Sequence, residues 1–242
     1  MKKRAFAFVA FLTASAALAA AAQPLGEAVV LLHGLGRGRL AMKRLERTLR
    51  AAGYEVHNVG YDSQRHDIAA LADQTLAPFF AASASRSPAA RVHIVTHSLG
   101  GILVRQYLHT HGMPPALGRV VMLAPPNQGC EIVDRLRGWR LYRWLNGPAG
   151  VQLGTDAASV PNTLGPLPAG AEVGVIAGDF SWNPLTSSWI DGQDDGKVSV
   201  KRTHVAGERD HRVVHASHTW IMWRRATLDH MLAFLRTGRF GP

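Results

Sequence analysis

Short apolar runs alternate along this chain with longer segments whose apolar residues return every three or four positions. The short runs are rich in β-branched residues, so they read as buried strands, and the segments between them read as amphipathic helices. The pattern predicts strands over 27–32, 55–61, 91–96, 119–123, 172–177 and 198–205. It predicts helices over 40–51, 68–82, 99–110 and 224–235. Between the fourth and fifth strands lies an irregular, partly helical insert, 131–164. Strand–helix alternation implies an α/β fold, a mostly parallel central sheet with helices on both faces. No internal repeat breaks the pattern. Ser83-Ala84-Ser85-Arg86-Ser87-Pro88 reads as a loop inside one domain and not as a linker.

The first residues stand apart from that alternation. Met1-Lys2-Lys3-Arg4 is a basic start, followed by an apolar and then an Ala-rich stretch that ends Ala20-Ala21-Ala22-Gln23-Pro24. This is the form of a Sec-type signal peptide over 1–22, with small residues for cleavage after Ala22. An exported protein, periplasmic or secreted, is expected, with residues 23–242 as one domain. An uncleaved membrane anchor is the rival reading, and the apolar run is short for a span.

The chemistry concentrates where strands end. Thr96-His97-Ser98-Leu99-Gly100 follows a β-branched run and precedes a helix. A serine at such a tight turn projects beyond the sheet, and the next helix aims free N–H groups at the same spot. Gly100 supplies the small residue that the close backbone approach needs. Thr96 does not, because it is β-branched where glycine is usual. Upstream, the apolar run 28–32 ends in His33-Gly34-Leu35-Gly36. Acyl transfer needs two N–H donors aimed at the developing oxyanion. The Leu35 and Leu99 N–H groups are the candidates. A dinucleotide fingerprint fits Gly34-Leu35-Gly36-Arg37-Gly38 poorly, because its third glycine falls too early.

A serine nucleophile needs a base, and a histidine base needs an acid to fix its tautomer. Asp195 in Asp194-Asp195-Gly196-Lys197-Val198 and His218 in His215-Ala216-Ser217-His218 are the candidates. Asp194 and Asp179 are rival acids. His204, His211 and His215 are rival bases.

Taken together these motifs are similar to the α/β-hydrolase superfamily, in its bacterial lipase/esterase branch. The shared pieces are His33-Gly34-Leu35-Gly36, His97-Ser98-Leu99-Gly100-Gly101, Leu123-Ala124-Pro125-Pro126-Asn127-Gln128-Gly129, Asp195-Gly196-Lys197-Val198 and Ser217-His218, in order along the chain. The resemblance implies Ser98 as nucleophile, Asp195 as acid and His218 as base of a serine hydrolase acting on carboxylic esters. It places the acid directly before Gly-x-Val, which selects Asp195 over Asp194. It makes the insert 131–164 a short cap. Some lipases of this type hold a structural calcium through an acid shortly after the histidine. Here Thr219-Trp220-Ile221-Met222 follows, so no metal and no cofactor are expected.

Composition narrows the rest. Lys and Arg number 27 against 17 Asp and Glu, a formal charge of +10. A basic exported protein suits anionic surfaces, so peripheral contact with an anionic membrane is open. No nucleic-acid-binding motif is present. Arg135, Arg137, Arg140 and Arg143 interleave with Leu136, Trp139, Leu141, Tyr142, Trp144 and Leu145. This segment reads as a helix packed on the core, with a lipid-facing helix as the rival. Trp139, Trp144, Leu145, Trp182 and Trp189 are candidates for an apolar substrate pocket. Cys130 is the one cysteine, so no intramolecular disulfide forms, and it reads as a packing residue. A monomer is expected, with a small-molecule or lipid ester as its partner. An acyltransferase or thioesterase would use the same triad, and a binding module could use the same scaffold without catalysis.

Overall fold

The computed structural model describes residues 27–84 and 91–241. The signal peptide expected over 1–22, and most of the loop 83–88, lie outside them. Six strands form one sheet: β1 Ala28–Leu32, β2 Glu55–Val59, β3 Val92–His97, β4 Leu117–Leu123, β5 Val173–Gly178 and β6 Asp210–Val214. Their order is β2-β1-β3-β4-β5-β6, and every neighbouring pair is parallel.

The helices follow from the apolar periodicity. In chain order they are α1 Lys43–Ala51, α2 Ile68–Ala84, α3 Leu99–His111, α4 Glu131–Leu136, α5 Arg140–Val151, α6 Val160–Thr163, α7 Pro184–Ser187, α8 Val200–Thr203 and α9 Arg225–Thr237. Alternating strand residues point to opposite faces. Val30 and Leu32 of β1 join Ile94, Met122 and Val175 in a core under α2 and α3. Val29 and Leu31 join Val95, Val121 and Ile176 in the opposite core, under α1 and α9. Both faces are therefore dry, which is why the strands read as unbroken apolar runs. No helix of the described residues is long and apolar enough to cross a membrane.

The strand order sets the place of the site. The chain winds from β1 outward to β2, then crosses back over β1 to β3. Connections leave the C-terminal ends of β1 and β3 in opposite directions, which opens a crevice there. The loop after β1 and the turn after β3 face each other across it.

One predicted element is wrong. Residues 198–205 do not form a strand; Ser199 caps a helical turn instead, its Oγ accepting from the Arg202 N–H at 3.3 Å. The sixth strand is Asp210–Val214, which pairs with β5 from Gly174↔Asp210 to Gly178↔Val214. Asp195 thus sits on a loop entering a short helix, not a strand.

Candidate active site

Ser98 joins β3 to α3 with φ 52° and ψ −119°. A non-glycine residue in that region is strained and persists only where its surroundings hold it. Here the Ser98 N–H donates to the Leu123 carbonyl at 2.8 Å, and the Gly101 N–H donates back to the Ser98 carbonyl at 2.9 Å. A Cβ on Gly100 would lie 2.8 Å from the Leu32 carbonyl oxygen, so α3 can approach β1 only because that atom is missing. Thr96 is fully buried. A Cβ on Gly101 would lie 3.0 Å from Pro125 Cβ and 3.4 Å from Thr96 Oγ1, so the threonine is accommodated at ordinary contact distance.

Three predicted site residues meet here. His218 Nε2 lies 3.0 Å from Ser98 Oγ, and His218 Nδ1 lies 2.7 Å from Asp195 Oδ2. The carboxylate can only accept, so Nδ1 carries the proton and Nε2 is left to accept from the serine hydroxyl. The other Asp195 oxygen accepts from the Lys197 and Val198 N–H groups at 3.0 and 2.9 Å. The His218 N–H donates to the Asp195 carbonyl at 2.8 Å, which ties the two loops together. Ser98, Asp195 and His218 thus form one hydrogen-bonded chain.

The Leu99 N–H opens α3, where no intrahelical acceptor exists. Neither it nor the Leu35 N–H has an acceptor among the described residues. The loop carrying Leu35 is ordered by His33. Its Nδ1–H donates to the Gly34 carbonyl at 2.9 Å, and its Nε2 accepts from the Tyr61 N–H at 3.3 Å. The Tyr61 hydroxyl donates to the His33 carbonyl, and the two rings stack at 4.0 Å. Burial holds the His33 pKa below its ordinary value, so the ring stays neutral and keeps that tautomer.

The rivals are occupied elsewhere. Asp179 pairs with His215 at 3.1 Å, away from Ser98, and neither lines the cavity described below. Asp194 accepts from Ser187 Oγ and the Gly196 N–H, which shapes the acid loop. His204 and His211 stack at 3.8 Å with ring planes only 19° apart, beside Glu208. One ligand atom of each lies within 4.8 Å of the others, and His204 Nδ1 pairs with Glu208 at 2.5 Å while His211 Nε2 lies 2.9 Å from Thr203 Oγ1, so the trio is held together away from Ser98. Cys130 is buried, and burial pushes its thiol up to about 11, far from a thiolate nucleophile.

A cavity of about 410 Å³ opens beside Ser98 and His218. The insert contributes Ile132, Val133, Tyr142, Asn146 and Leu153 to its wall. Of the aromatic residues expected in the pocket, only Trp182 lines it. Trp139 and Trp144 do not line it and, at 64 % and 78 % exposed, are not core residues either. Of the segment 135–145, expected to pack on the core, Tyr142 does so, while Trp139, Leu141, Trp144 and Leu145 are exposed. Trp189 does not line the cavity either, and sits within cation–π reach of Arg135 at 5.7 Å. Trp220, Arg37 and Lys197 do line the cavity and were missed as site residues. Their signal was proximity in sequence: Trp220 is two residues past His218, Lys197 two past Asp195, and Arg37 two past Leu35.

Residues 27–201, well over half of the chain, match the family model for the alpha/beta hydrolase fold. The chain belongs to the α/β-hydrolase family. No curated protein sequence matches it significantly. Among solved structures, the propeptide form of Bacillus licheniformis lipase BlEst2 superposes with a TM-score of 0.68 at 17% identity, over 88% of this chain and 51% of that one. This chain thus spans about half the length of that form. The mature form of BlEst2 gives 0.64 at 19% identity, covering 88% and 93%. The metagenomic carboxyl esterase MGS0156 gives 0.58 at 16% identity, covering 82% and 66%. At these identities the likeness is one of fold.

Proposed function

We propose that this α/β-hydrolase is a serine esterase of the lipase type, which cleaves carboxylic esters through an acyl-enzyme. The observation that carries the reading is the Ser98–His218–Asp195 chain, at 3.0 and 2.7 Å, opening on a cavity whose wall mixes apolar side chains with polar ones. His218 takes the Ser98 proton as the hydroxyl attacks the ester carbonyl, and Asp195 holds the tautomer and stabilises the imidazolium. The Leu35 and Leu99 N–H groups donate to the oxyanion as it forms. His218 then returns the proton to the leaving alcohol, and water repeats the sequence to release the acid. The solved structures of similar fold include a lipase and a carboxyl esterase, which supports an ester as substrate. Export belongs to the same reading, supported by the basic start and small-residue stretch of 1–22. So does peripheral membrane contact, supported by exposed Trp139, Leu141 and Trp144 among Arg140 and Arg143.

The test is hydrolysis of p-nitrophenyl esters from acetate to palmitate by the protein and by Ser98→Ala, each with and without a chelator. Turnover that survives the chelator and vanishes in Ser98→Ala is expected. No turnover of any ester, with Ser98 unlabelled by a fluorophosphonate, would sink the reading.

A further inference from the structure

The cavity beside Ser98 carries a charge imbalance that ester hydrolysis does not itself require. Two cationic side chains line it, Arg37 and Lys197. Among the described residues of that wall the one carboxylate is Asp195, and it is 2 % exposed with both oxygens engaged by His218, Lys197 N–H and Val198 N–H. The Arg37 guanidinium is exposed and meets a hydroxyl, Thr219 Oγ1 at 3.1 Å, where a carboxylate would have neutralised it. Thr219 directly follows His218. Lys197 stands on the acid loop, its N–H bound to Asp195 and its carbonyl accepting from Cys130 Sγ at 3.0 Å. Both cations are thus held by loops that also carry site residues.

Their charges act on each other. Burial first, and Arg37 second, lowers the Lys197 pKa, with Asp195 opposing in part. Lys197 keeps solvent contact, so this desolvation is partial. Two like charges at the mouth of a cavity lose free energy when an anion settles between them, and charge-assisted hydrogen bonds then form in a partly dry site. The same cavity is also lined by apolar Ile132, Val133 and Leu153. The combination fits an amphiphilic anion.

We propose that Arg37 and Lys197 select esters that carry an anionic group, a carboxylate or a phosphate, near the scissile bond. The proposal rests on the serine-esterase reading of Ser98.

The test compares matched anionic and neutral esters on the full chain. One arm sets mono-p-nitrophenyl glutarate against p-nitrophenyl valerate. The other sets a lysophosphatidate against the monoacylglycerol of the same chain length, both below micellisation. In at least one arm kcat/KM for the anion exceeds that for the neutral ester by about tenfold, the scale of one charge-assisted contact. The arm that shows the preference identifies the group as carboxylate or phosphate. Added salt shrinks the ratio. Arg37→Gln and Lys197→Gln bring it toward one, and Lys197→Glu takes it below one. Lys201→Gln, exposed and outside the cavity, keeps the ratio of the parent protein. A ratio of one in both arms with Ser98 labelled by a fluorophosphonate overturns the proposal alone. So does an equal loss on both esters in the Gln variants, which would mean that the cations serve the oxyanion. No turnover and no labelling overturns the esterase reading, and this proposal with it.

Discussion

His97 Nε2 lies 2.9 Å from the main-chain carbonyl of His218, so the residue beside the serine holds the loop of the histidine that faces it. The carbonyl only accepts, which puts the His97 proton on Nε2. Its Nδ1 is buried without a partner. Burial first and the nearby His218 second hold the His97 pKa far below its ordinary value, so the ring is a neutral donor at working pH. His97→Phe keeps a ring but loses the donor. A shift of the His218 loop by a fraction of an ångström then costs about 10-fold to 100-fold in kcat, with KM little changed. Steady-state kinetics on a short p-nitrophenyl ester measures it; a kcat equal to that of the parent protein would show that the loop needs no such tie.

Buried neutral histidines also set the response to acid. Burial is the largest cause for His33, His97 and His211, and the His211 value falls from 6.5 to about 4. Each binds protons more readily in the unfolded chain, whose value is near 6.5. Their contribution to stability is therefore fully present above 6.5 and is lost as pH falls toward the folded values. The denaturant midpoint is expected to stay level from pH 8 to 7 and then to drop between 6.5 and 4. His211→Asn should flatten part of that slope. A midpoint constant down to pH 4.5 would contradict the argument.

Arg105 presents a stability test away from the site. It is buried, and its guanidinium donates to the carbonyls of Asn127 at 2.6 Å and Gly165 at 2.8 Å. Burial lowers its pKa to about 10, which still leaves it charged at neutral pH. Asn127 in turn donates through Nδ2 to the Thr203 carbonyl at 2.7 Å, at the end of α8. Arg105→Met leaves two carbonyls without donors and should cost about 2–4 kcal/mol. Arg105→Lys cannot span both acceptors and recovers only part of that. Urea unfolding should show lower midpoints with an unchanged slope.

Gly34 tests the packing behind the oxyanion loop. A Cβ there would lie 2.8 Å from His97 Nδ1 and 3.2 Å from Ser98 Cβ. Gly34→Ala must push the loop off the serine, moving the Leu35 N–H with it. Loss of one oxyanion donor typically costs about 100-fold to 1,000-fold in kcat. The fold, read by circular dichroism, should survive. Activity within a few-fold of the parent would mean that the Leu35 N–H has no part in the reaction.

Four of the predicted strands, β1, β3, β4 and β5, were legible because they are central, nearly all their residues are buried and apolar β-branched residues recur along them; β2, an edge strand with Glu55, His57 and Asn58, was read from Val56, Val59 and the turn before it. β6 was not. It is an edge strand, Asp210-His211-Arg212-Val213-Val214, and most of it is only partly buried, so it lacks an apolar run. The rival segment Val198-Ser199-Val200 has the β-branched look of a strand. Local chemistry overrides it: Asp195 accepts the Val198 N–H and Ser199 caps α8. At the site, motifs singled out Ser98, Asp195 and His218, which the fold brings into one hydrogen-bonded chain, because the proposed chemistry needs particular residue types at loop ends. The wall of the cavity had no such signature. All four of Trp182, Trp220, Trp139 and Trp144 are exposed, yet only Trp182 and Trp220 line it, and a tryptophan looks the same in all four places until loops are folded.

Asp195→Asn separates orientation from charge most cleanly. Oδ1 of Asp195 accepts from two N–H groups, so an asparagine would keep its oxygen there and turn its amide toward His218. The amide donates where the carboxylate accepted. His218 Nδ1 must then accept, which moves the ring proton to Nε2, opposite Ser98 Oγ. The base is lost without loss of packing. On the proposed triad a fall in kcat of about 10,000-fold is expected. Asp194→Asn should cost far less, because Asp194 only shapes the loop through Ser187 and Gly196. Kinetics on one short ester, with circular dichroism to show an intact fold, compares the two. If Asp195→Asn kept activity within tenfold of the parent while Asp194→Asn or Asp179→Asn lost it, the acid would be reassigned.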